Sequence, residues 1–165
     1  MKPILSEFSK IDTFIFDVDG VFTDSSLLVT EKGELLRTMN ARDGFALRRA
    51  IDQGYKIVII TGGTSEGVRL RLSKLGVEHI HIGVQNKAKV LDELIETKVV
   101  NPSTSIYMGD DIPDLEVMQA VFLPVCPSDA ASEIIAVSRY VSPLNGGKGC
   151  VREVVETTLR VQDKW

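Results

Sequence analysis

Two residue types that build many metal sites and nucleophilic triads are scarce in this sequence. Its 165 residues include two cysteines and two histidines. Cys126 and Cys150 lie far apart without C-x-x-C spacing, so the sequence predicts neither a disulfide framework nor a zinc site. His79 and His81 alternate with isoleucines, which favours a structural role in a strand. Two reduced thiols are typical of a cytoplasmic protein, and we expect that localisation.

Long apolar runs and an excess of one charge are missing too. No segment approaches the ~20 apolar residues that a membrane span requires. Residues 1–10 contain no apolar run of signal-peptide length. The net charge of -4 gives no reason to expect a nucleic-acid partner or a membrane surface. We therefore expect a soluble, unprocessed chain that forms one domain, residues 1–165, and whose partner is a small molecule.

The most informative stretch is Thr-Phe-Ile-Phe-Asp-Val-Asp-Gly, residues 13–20. Its first four residues are β-branched or aromatic and predict a buried strand. The strand ends at Asp17 and Asp19, whose side chains point the same way in an extended chain and repel each other unless a cation or a shared proton intervenes. A divalent cation is the simpler answer, and an aspartate beside a hard metal can attack phosphorus.

An ordinary turn and a calcium-binding loop are the alternatives to a catalytic metal site at this motif. The D-x-D-G pattern occurs in turns where aspartate and glycine serve backbone geometry alone. A calcium-binding EF-hand loop fits poorly, because its glycine belongs at the sixth loop position and Gly20 is the fourth residue from Asp17. On this motif alone, the turn and the metal site both stay open.

The rest of the chain alternates strands with helices. A β-hairpin is predicted from two segments, 26–30 and 35–39, which flank a polar connection containing glycine. Further strands are predicted at 56–60, 79–82, 105–108, 121–123 and 139–141, and helices at about 43–53, 65–75, 87–97, 114–120, from 128 and at 148–161. This alternation favours an α/β fold with a doubly wound, mostly parallel sheet and right-handed crossovers.

Polar residues that can take part in binding or catalysis follow three of these strands. Such sheets place their sites at the carboxyl ends of the strands, near the switch in strand order. Besides the first strand with its two aspartates, the strand at 56–60 ends in Thr61-Gly62-Gly63, and the strand at 105–108 ends in an acidic turn. That turn contains Asp110, Asp111 and Asp114. We expect all of them at one edge of the sheet.

Each of these groups also has a structural interpretation. Thr61-Gly62-Gly63 is either a strand-to-helix turn or a phosphate cradle built from backbone N–H groups and a hydroxyl. Lys87 is either a solvated helix residue or a cation that balances the acids and holds a phosphate oxygen. The three acids after 105–108 could form a solvated turn. Their close spacing directly after an apolar strand instead favours a role as metal ligands or as support for such ligands.

In this order, four motifs resemble those of the haloacid dehalogenase superfamily of phosphohydrolases. They are D-x-D-G-V-x-T-D from Asp17, a hydrophobic strand ending at Thr61, a helical lysine at Lys87, and G-D-D-x-x-D from Gly109. The resemblance covers nearly the whole chain. It implies that Asp17 is the nucleophile, which forms an aspartyl-phosphate, and that Asp19 acts first as general acid and then as general base.

The same resemblance implies the remaining roles. A Mg²⁺ ion would be held by Asp17, Asp110 and the backbone carbonyl of Asp19. The phosphoryl oxygens would be bound by Thr61, the Gly62 N–H and Lys87. The metal shell would be oriented by two supporting acids, Asp111 and Asp114.

The hairpin, which stands in place of an inserted cap domain, and the segment Asn40-Ala41-Arg42-Asp43-Gly44 resemble a capless branch of the superfamily. That branch contains enzymes that remove phosphate from 3-deoxy-D-manno-octulosonate 8-phosphate (KDO 8-phosphate), a step toward lipopolysaccharide, and the resemblance implies this activity. The resemblance implies substrate contacts from Asn40, Asp43, Gly44, Arg48 and Arg71, with the Arg71 fork suited to the substrate carboxylate. The branch also implies a homotetramer whose hairpins cover one another's sites.

Two positions depart from the branch and weaken the assignment of the substrate. Gly63 stands where many relatives have arginine, and Ala46 stands where glycine is common. Arg69, Arg71 or a residue of a neighbouring subunit is the candidate replacement for the missing arginine. The phosphatase chemistry itself is unaffected.

Alternatives remain at this point. Within the enzyme class, the substrate could be a nine-carbon nonulosonate 9-phosphate of the KDN or sialic acid type. Outside it, the chain could be a receiver-like signalling domain or a non-catalytic tetramerisation module. A receiver carries its phosphate-accepting aspartate after a middle strand, whereas D-x-D-G follows the first strand here. The hairpin's apolar residues, Leu27, Val29, Leu36 and Met39, favour association of several copies.

Overall fold

The computed structural model describes residues 4–165, so the first three residues of the predicted domain and N-terminus lie outside the described part. The strands in chain order are β1 (Thr13–Phe16), β2 (Leu28–Val29), β3 (Leu35–Leu36), β4 (Lys56–Ile60), β5 (His79–His81), β6 (Ser105–Met108), β7 (Leu123–Cys126) and β8 (Tyr140–Val141). The helices are α1 (Ala41–Asp52), α2 (Glu66–Lys74), α3 (Lys87–Glu96), α4 (Leu115–Ala120), α5 (Ser132–Val137) and α6 (Cys150–Val161). Three short 3₁₀ helices cover Ile4–Lys10, Pro102–Thr104 and Ile112–Asp114.

Six of the strands form one parallel sheet in the order β5-β4-β1-β6-β7-β8. From β1 the chain moves outward through β4 and β5, and then returns across β1 to build β6, β7 and β8 on the other side. The strand order therefore switches at β1, between β4 and β6. This arrangement confirms the predicted doubly wound α/β fold, and it puts the ends of β1 and β6 side by side at the place where such sheets bind ligands.

The central strand β1 is buried along its whole length because helices cover both faces of the sheet. Phe14 and Phe16 point into one apolar layer, which α1, α2 and α6 complete, while Ile15 points into the other, which α3, α4 and α5 complete. This alternation follows from the two-residue period of a strand. Asp17 is thus the first polar residue after a fully buried run, at a fixed position.

Several predicted boundaries are confirmed and others are wrong. The strands at 13–16, 56–60 and 105–108 are as predicted, and α3 begins at Lys87 with Asn86 as its cap. The strand predicted at 121–123 lies at Leu123–Cys126 instead and includes Pro124, a residue that gives up a backbone donor and usually marks a strand's end. The 3₁₀ helix Ile4–Lys10 was not predicted.

The two thiols and the predicted hairpin have the expected environments. Cys126 and Cys150 are buried and unpaired. The hairpin forms from β2 and β3, shorter than predicted, and both of its strands are exposed. Within residues 4–165, the structure contains no helix with the length and hydrophobicity that a membrane crossing needs.

The glycine-rich segment before α6 packs against the loop that follows β1. Gly147 donates a backbone hydrogen bond to Val21 at 2.9 Å. A Cβ atom built on Gly146 would lie 2.0 Å from the carbonyl oxygen of Gly20. This segment is therefore tightly packed, and it supports the D-x-D-G loop from behind.

The substitution Gly146→Ala is expected to destabilise the protein. The added methyl group meets backbone atoms that cannot rotate away, and overpacking of this kind costs about 1–3 kcal/mol. Gly67→Ala in α2 is the matched control, because a Cβ there has no neighbour closer than 3.8 Å. Thermal unfolding of both variants checks this, and equal melting temperatures would contradict the packing argument.

Candidate active site

Three acidic side chains from distant parts of the chain meet at the ends of β1 and β6. Phe16 pairs with Met108 in the sheet, and the Asp17 N–H donates to the Met108 carbonyl at 3.0 Å. Asp110 and Asp114 follow in the loop after β6. One carboxylate oxygen from each of Asp17, Asp110 and Asp114 lies within 4.8 Å of the other two. The predicted convergence of these acids at one edge is observed.

Two glycines make this approach possible. Gly20 has a positive φ of 83°, and a Cβ built on it would lie 1.8 Å from Oδ2 of Asp110. A Cβ on Gly109 would lie 2.5 Å from the Cβ of Asp114. The glycine of D-x-D-G therefore serves turn geometry and also leaves room for the partner acid.

Lys87 is the cation of this cluster. Its Nζ lies 2.8 Å from Oδ2 of Asp17 and 2.7 Å from Oδ1 of Asp114, and its side chain is 6% exposed. Burial by itself would lower the pKa of Lys87, but the charges of Asp17 and Asp114 outweigh burial and raise the pKa. Lys87 is thus a buried ammonium held between two acids, not a solvated helix residue.

The pKa values of two acids rise because the acids are buried and because one ammonium does not balance three carboxylates. Burial, and then the charge of Asp114, raise the pKa of Asp17 from 3.8 to about 6, although Lys87 partly opposes this. Burial, and then the charges of Asp17, Asp114 and Asp111, raise the pKa of Asp110 from 3.8 to about 7. The cluster therefore holds protons at pH values where free carboxylic acids have lost them.

Asp114 is a positioning acid whose oxygens are already occupied. Its Oδ1 accepts hydrogen bonds from Lys87 and, at 2.5 Å, from the hydroxyl of Tyr107. Its Oδ2 accepts from the backbone N–H groups of Asp110 and Asp111 at 3.1 and 3.4 Å. The Asp111 side chain caps the 3₁₀ helix that follows. These contacts suit the supporting role predicted for both acids.

Tyr107 was not among the predicted site residues. It lies in the middle of β6, fully buried, and the hydroxyl of a buried tyrosine usually has a hydrogen-bond partner. Its position just before an acidic turn was the available signal.

The donor set fits Mg²⁺, a hard cation that prefers carboxylate and carbonyl oxygens. Within residues 4–165 the Asp110 carboxylate has no hydrogen-bond partner, although it lies beside two other acids. A divalent cation would remove the repulsion that raises the pKa of Asp17 and Asp110. The predicted contribution of Asp19 is a backbone carbonyl, and its carboxylate lies outside the three-acid cluster.

A cleft of about 400 Å³ opens beside the acids. Its lining includes Asp17, Asp19, Thr61, Gly62 and Lys87, with Ser25, Val84, Gln85 and Pro113 around them. The Gly62 N–H has no acceptor among the described residues, so it is free to bind a ligand oxygen. The hydroxyl of Thr61 accepts from the Gly63 N–H at 3.2 Å, which leaves its proton for another partner.

Arg37 is the second site residue that the sequence did not indicate. It comes from the hairpin and binds both carboxylate oxygens of Asp19, at 2.7 and 2.9 Å. A Cβ on Gly63 would lie 3.2 Å from its Nη2, so Arg37 occupies the space beside Gly63. The other candidates lie elsewhere: Arg69 pairs with Glu66 on the surface of α2, and Arg71 contacts Gly44.

The five predicted substrate contacts are not among the residues that line this cleft. They are Asn40, Asp43, Gly44, Arg48 and Arg71. Asn40 is the cap of α1 and accepts from the Arg42 N–H. Asp43 is fully buried and accepts from the Arg152 N–H at 2.8 Å, and burial raises its pKa to about 6. Asp43 therefore has a hydrogen-bond partner within the chain, and its contact with a substrate stays a prediction.

The other three residues have partners within the chain. A Cβ on Gly44 would lie 2.8 Å from Nη2 of Arg71, so Gly44 lets the arginine pack against α1. Arg48 pairs with Asp52 at 3.0 Å along the same helix. Contact of these residues with a substrate stays a prediction.

Comparisons with known proteins show the family of this chain. The sequence profile of the haloacid dehalogenase-like hydrolase family matches residues 79–154. The 3-deoxy-D-manno-octulosonate 8-phosphate phosphatase KdsC of Escherichia coli (strain K12) is 35% identical over 161 residues, which are 98% of this chain and 86% of that protein.

Solved structures extend the likeness to the whole fold. The crystal structure of the 3-deoxy-D-manno-octulosonate 8-phosphate phosphatase from Yersinia pestis matches with a TM-score of 0.93 at 35% identity, over 98% of this chain and 87% of that one. The corresponding enzyme from Moraxella catarrhalis, solved with a magnesium ion, a phosphate ion and a KDO molecule, matches with a TM-score of 0.93 at 31% identity, over 99% and 94% of the two chains.

These findings confirm the resemblance stated from the motifs and exclude the receiver-like alternative. With identity at this level across nearly the full length of its relatives, the chain belongs to the haloacid dehalogenase-like hydrolases and, within them, to the family of 3-deoxy-D-manno-octulosonate 8-phosphate phosphatases.

Proposed function

We propose that this chain is a Mg²⁺-dependent phosphatase that hydrolyses KDO 8-phosphate to KDO and inorganic phosphate. The observation that carries the proposal is the cluster of Asp17, Asp110 and Asp114 around Lys87, next to a cleft with a free Gly62 N–H. The activity named for the relatives from E. coli and Y. pestis supports the choice of substrate. So does the KDO molecule bound by the Moraxella enzyme.

The reaction proceeds in two displacements at phosphorus. A carboxylate oxygen of Asp17 attacks, the bond from phosphorus to the sugar oxygen breaks, and Asp19 gives its proton to the departing alkoxide. Asp19 then takes a proton from water, the water oxygen attacks the phosphorus of the aspartyl-phosphate, and the Asp17 carboxylate is regenerated. Phosphate and the free sugar acid are the products.

Charge on the transferring group has to be stabilised in both steps. Lys87, the Thr61 hydroxyl and the Gly62 N–H are the groups of this chain that bind the phosphoryl oxygens. Asp114, with Asp111 at the start of the next helix, holds Lys87 and the loop after β6 in place. Asp17, Asp110 and the Asp19 carbonyl would hold the Mg²⁺ ion. When bound, the ion neutralises the charge of the acids and the phosphoryl group.

We further propose that the working form is a homotetramer associated through the hairpins. Leu27, Leu28, Val29, Leu35 and Leu36 are each 42–67% exposed, so both strands of the hairpin present apolar surface. Met39, predicted to belong to that surface, packs partly against the core instead. Burying this patch between copies would also cover an open cleft. A cytoplasmic role on the route to lipopolysaccharide fits the unpaired cysteines and the proposed substrate.

The purified chain with Mg²⁺ is expected to release phosphate from KDO 8-phosphate with a higher kcat/KM than from nine-carbon nonulosonate 9-phosphates. Asp17→Asn should lower kcat by about 10³-fold or more, because an amide neither attacks phosphorus nor balances a metal charge. A phosphate-release assay on both esters measures this.

Asp12→Asn is the matched control, since Asp12 precedes the same strand at its other end. Its kcat should equal that of the unsubstituted chain. Turnover by Asp17→Asn at the normal rate would contradict nucleophilic catalysis, and an absence of phosphatase activity from the unsubstituted chain would favour the non-catalytic alternative.

The stability of the metal-free protein is expected to fall as the pH rises from about 4 to about 7. The pKa values of Asp17 and Asp110 are raised to about 6 and about 7 in the folded protein. The folded state then binds more protons than the unfolded chain in this window, and the free energy of unfolding decreases with pH. The increase in melting temperature caused by Mg²⁺ should grow over the same window, because the ion binds the deprotonated acids.

Differential scanning fluorimetry between about pH 4 and about pH 8, with and without Mg²⁺, covers this window and measures both effects. Asp110→Asn serves as the control and should remove most of the stabilisation by Mg²⁺. A Mg²⁺ effect that is independent of pH, or unchanged in Asp110→Asn, would refute the proposed ligands.

Replacing Leu28 by glutamate is expected to dissociate the tetramer. Leu28 is 67% exposed in the single chain, and a charge at a buried apolar interface is costly. Sedimentation velocity of this variant is compared with that of Ile135→Glu, which changes an exposed apolar residue on α5, away from the hairpin. A stable, active monomer of the unsubstituted chain would rule out this part of the proposal.

A further inference from the structure

We propose that Arg37 is the positioning residue for the general acid and base Asp19, and that the hairpin thereby controls the proton-transfer step. This inference rests on the proposed function. It concerns a residue of the hairpin, outside the four motifs that follow the strands.

The guanidinium of Arg37 donates two parallel hydrogen bonds to the Asp19 carboxylate. Nε lies 2.7 Å from Oδ1, and Nη2 lies 2.9 Å from Oδ2. A bidentate arginine–carboxylate pair fixes the carboxylate plane as well as its distance. The Arg37 side chain is 7% exposed, whereas the Asp19 side chain is 32% exposed. The arginine is therefore packed behind the acid, and the acid still faces the cleft.

Asp17, Asp114 and Asp19 are each held by hydrogen bonds, whereas the Asp110 carboxylate has none within residues 4–165. Asp17 is held by Lys87 and by the Val18 N–H, and Asp114 is held by four donors. For the Asp19 carboxylate, Arg37 is the one hydrogen-bond partner within residues 4–165. Without it, the side chain of Asp19 is free to rotate in a loop, and a misplaced proton donor loses much of its effect.

The pairing leaves Asp19 able to react. A carboxylate has about four acceptor sites, and the arginine fork takes two of them. Asp19 also lines the cleft that contains Asp17, Thr61 and Lys87. The remaining lone pairs can therefore face a leaving oxygen or a water molecule there.

Neighbouring backbone groups fix the orientation of the Arg37 guanidinium. The third nitrogen, Nη1, donates to the Leu35 carbonyl of β3 at 3.0 Å, so the direction of the guanidinium depends on the hairpin. A Cβ on Gly63 would lie 3.2 Å from Nη2 and 3.3 Å from Oδ2 of Asp19, so a side chain at position 63 would crowd both partners of this pair. Residues from β3 and from the loop after β4 thus define one orientation.

The test combines Arg37→Met with Asp19→Asn in a double-mutant cycle. Arg37→Met should lower kcat for the sugar-acid phosphate by about 10–100-fold and change KM by less than about threefold, because it disturbs the orientation of a proton donor and not substrate binding. In the Asp19→Asn background, the same change should alter kcat by less than about threefold, since Asp19 no longer transfers a proton. Arg37→Lys, which keeps the charge but not the fork, should give an intermediate kcat.

Arg160→Met is the matched control, because Arg160 makes a similar two-nitrogen contact with Glu156 on the exposed face of α6. Its kcat should stay unchanged. Wild-type kcat in Arg37→Met, a loss expressed only in KM, or an equal loss of kcat in the Asp19→Asn background would each overturn the inference. Arg37→Lys provides the measurement if Arg37→Met does not fold.

The two proposals fail differently. An unsubstituted chain without phosphatase activity removes the proposed function itself. An active unsubstituted chain with a fully active Arg37→Met variant removes only the role of Arg37.

Discussion

Repulsion among buried carboxylates is the constraint on which this site depends. Asp17, Asp110 and Asp114 are brought within 4.8 Å of one another, with Lys87 as the cation between them. Burial strengthens the repulsion, since charges interact more strongly in a low-dielectric interior. An arrangement of this kind survives only because the surrounding sheet fixes it, and it gains stability when a divalent cation enters.

The backbone holds the acids at this distance. Backbone hydrogen bonds to β4 and β6 fix the register of β1, and this register sets the position of Asp17 relative to the loop after β6. Gly20 and Gly109 remove the side chains that would otherwise keep Asp110 and Asp114 apart. The site therefore depends on close packing of the backbone as much as on the acids themselves.

The sequence was sufficient for the fold class and for the acids, because strand ends carry a strong local signal. Asp17, Asp110 and Lys87 each sit at the boundary of a well-defined apolar pattern. Arg37 could not be found this way, since an arginine in an exposed hairpin has the same local pattern whether it faces water or Asp19. The hydrogen bond that Asp43 accepts could not be predicted for a related reason. Its partner, the Arg152 N–H, lies 109 residues away.

The long separation between Asp17 and Asp110 along the chain has a consequence for synthesis. β1 emerges from the ribosome early, but its neighbour β6 completes only after residue 108, so the two halves of the cation site cannot meet in a nascent fragment. Until then the end of β1 carries Asp17 and Asp19 without Asp110 and Asp114. Acquisition of the ion is thus a late event in the maturation of each molecule, and a truncated product would not compete for it.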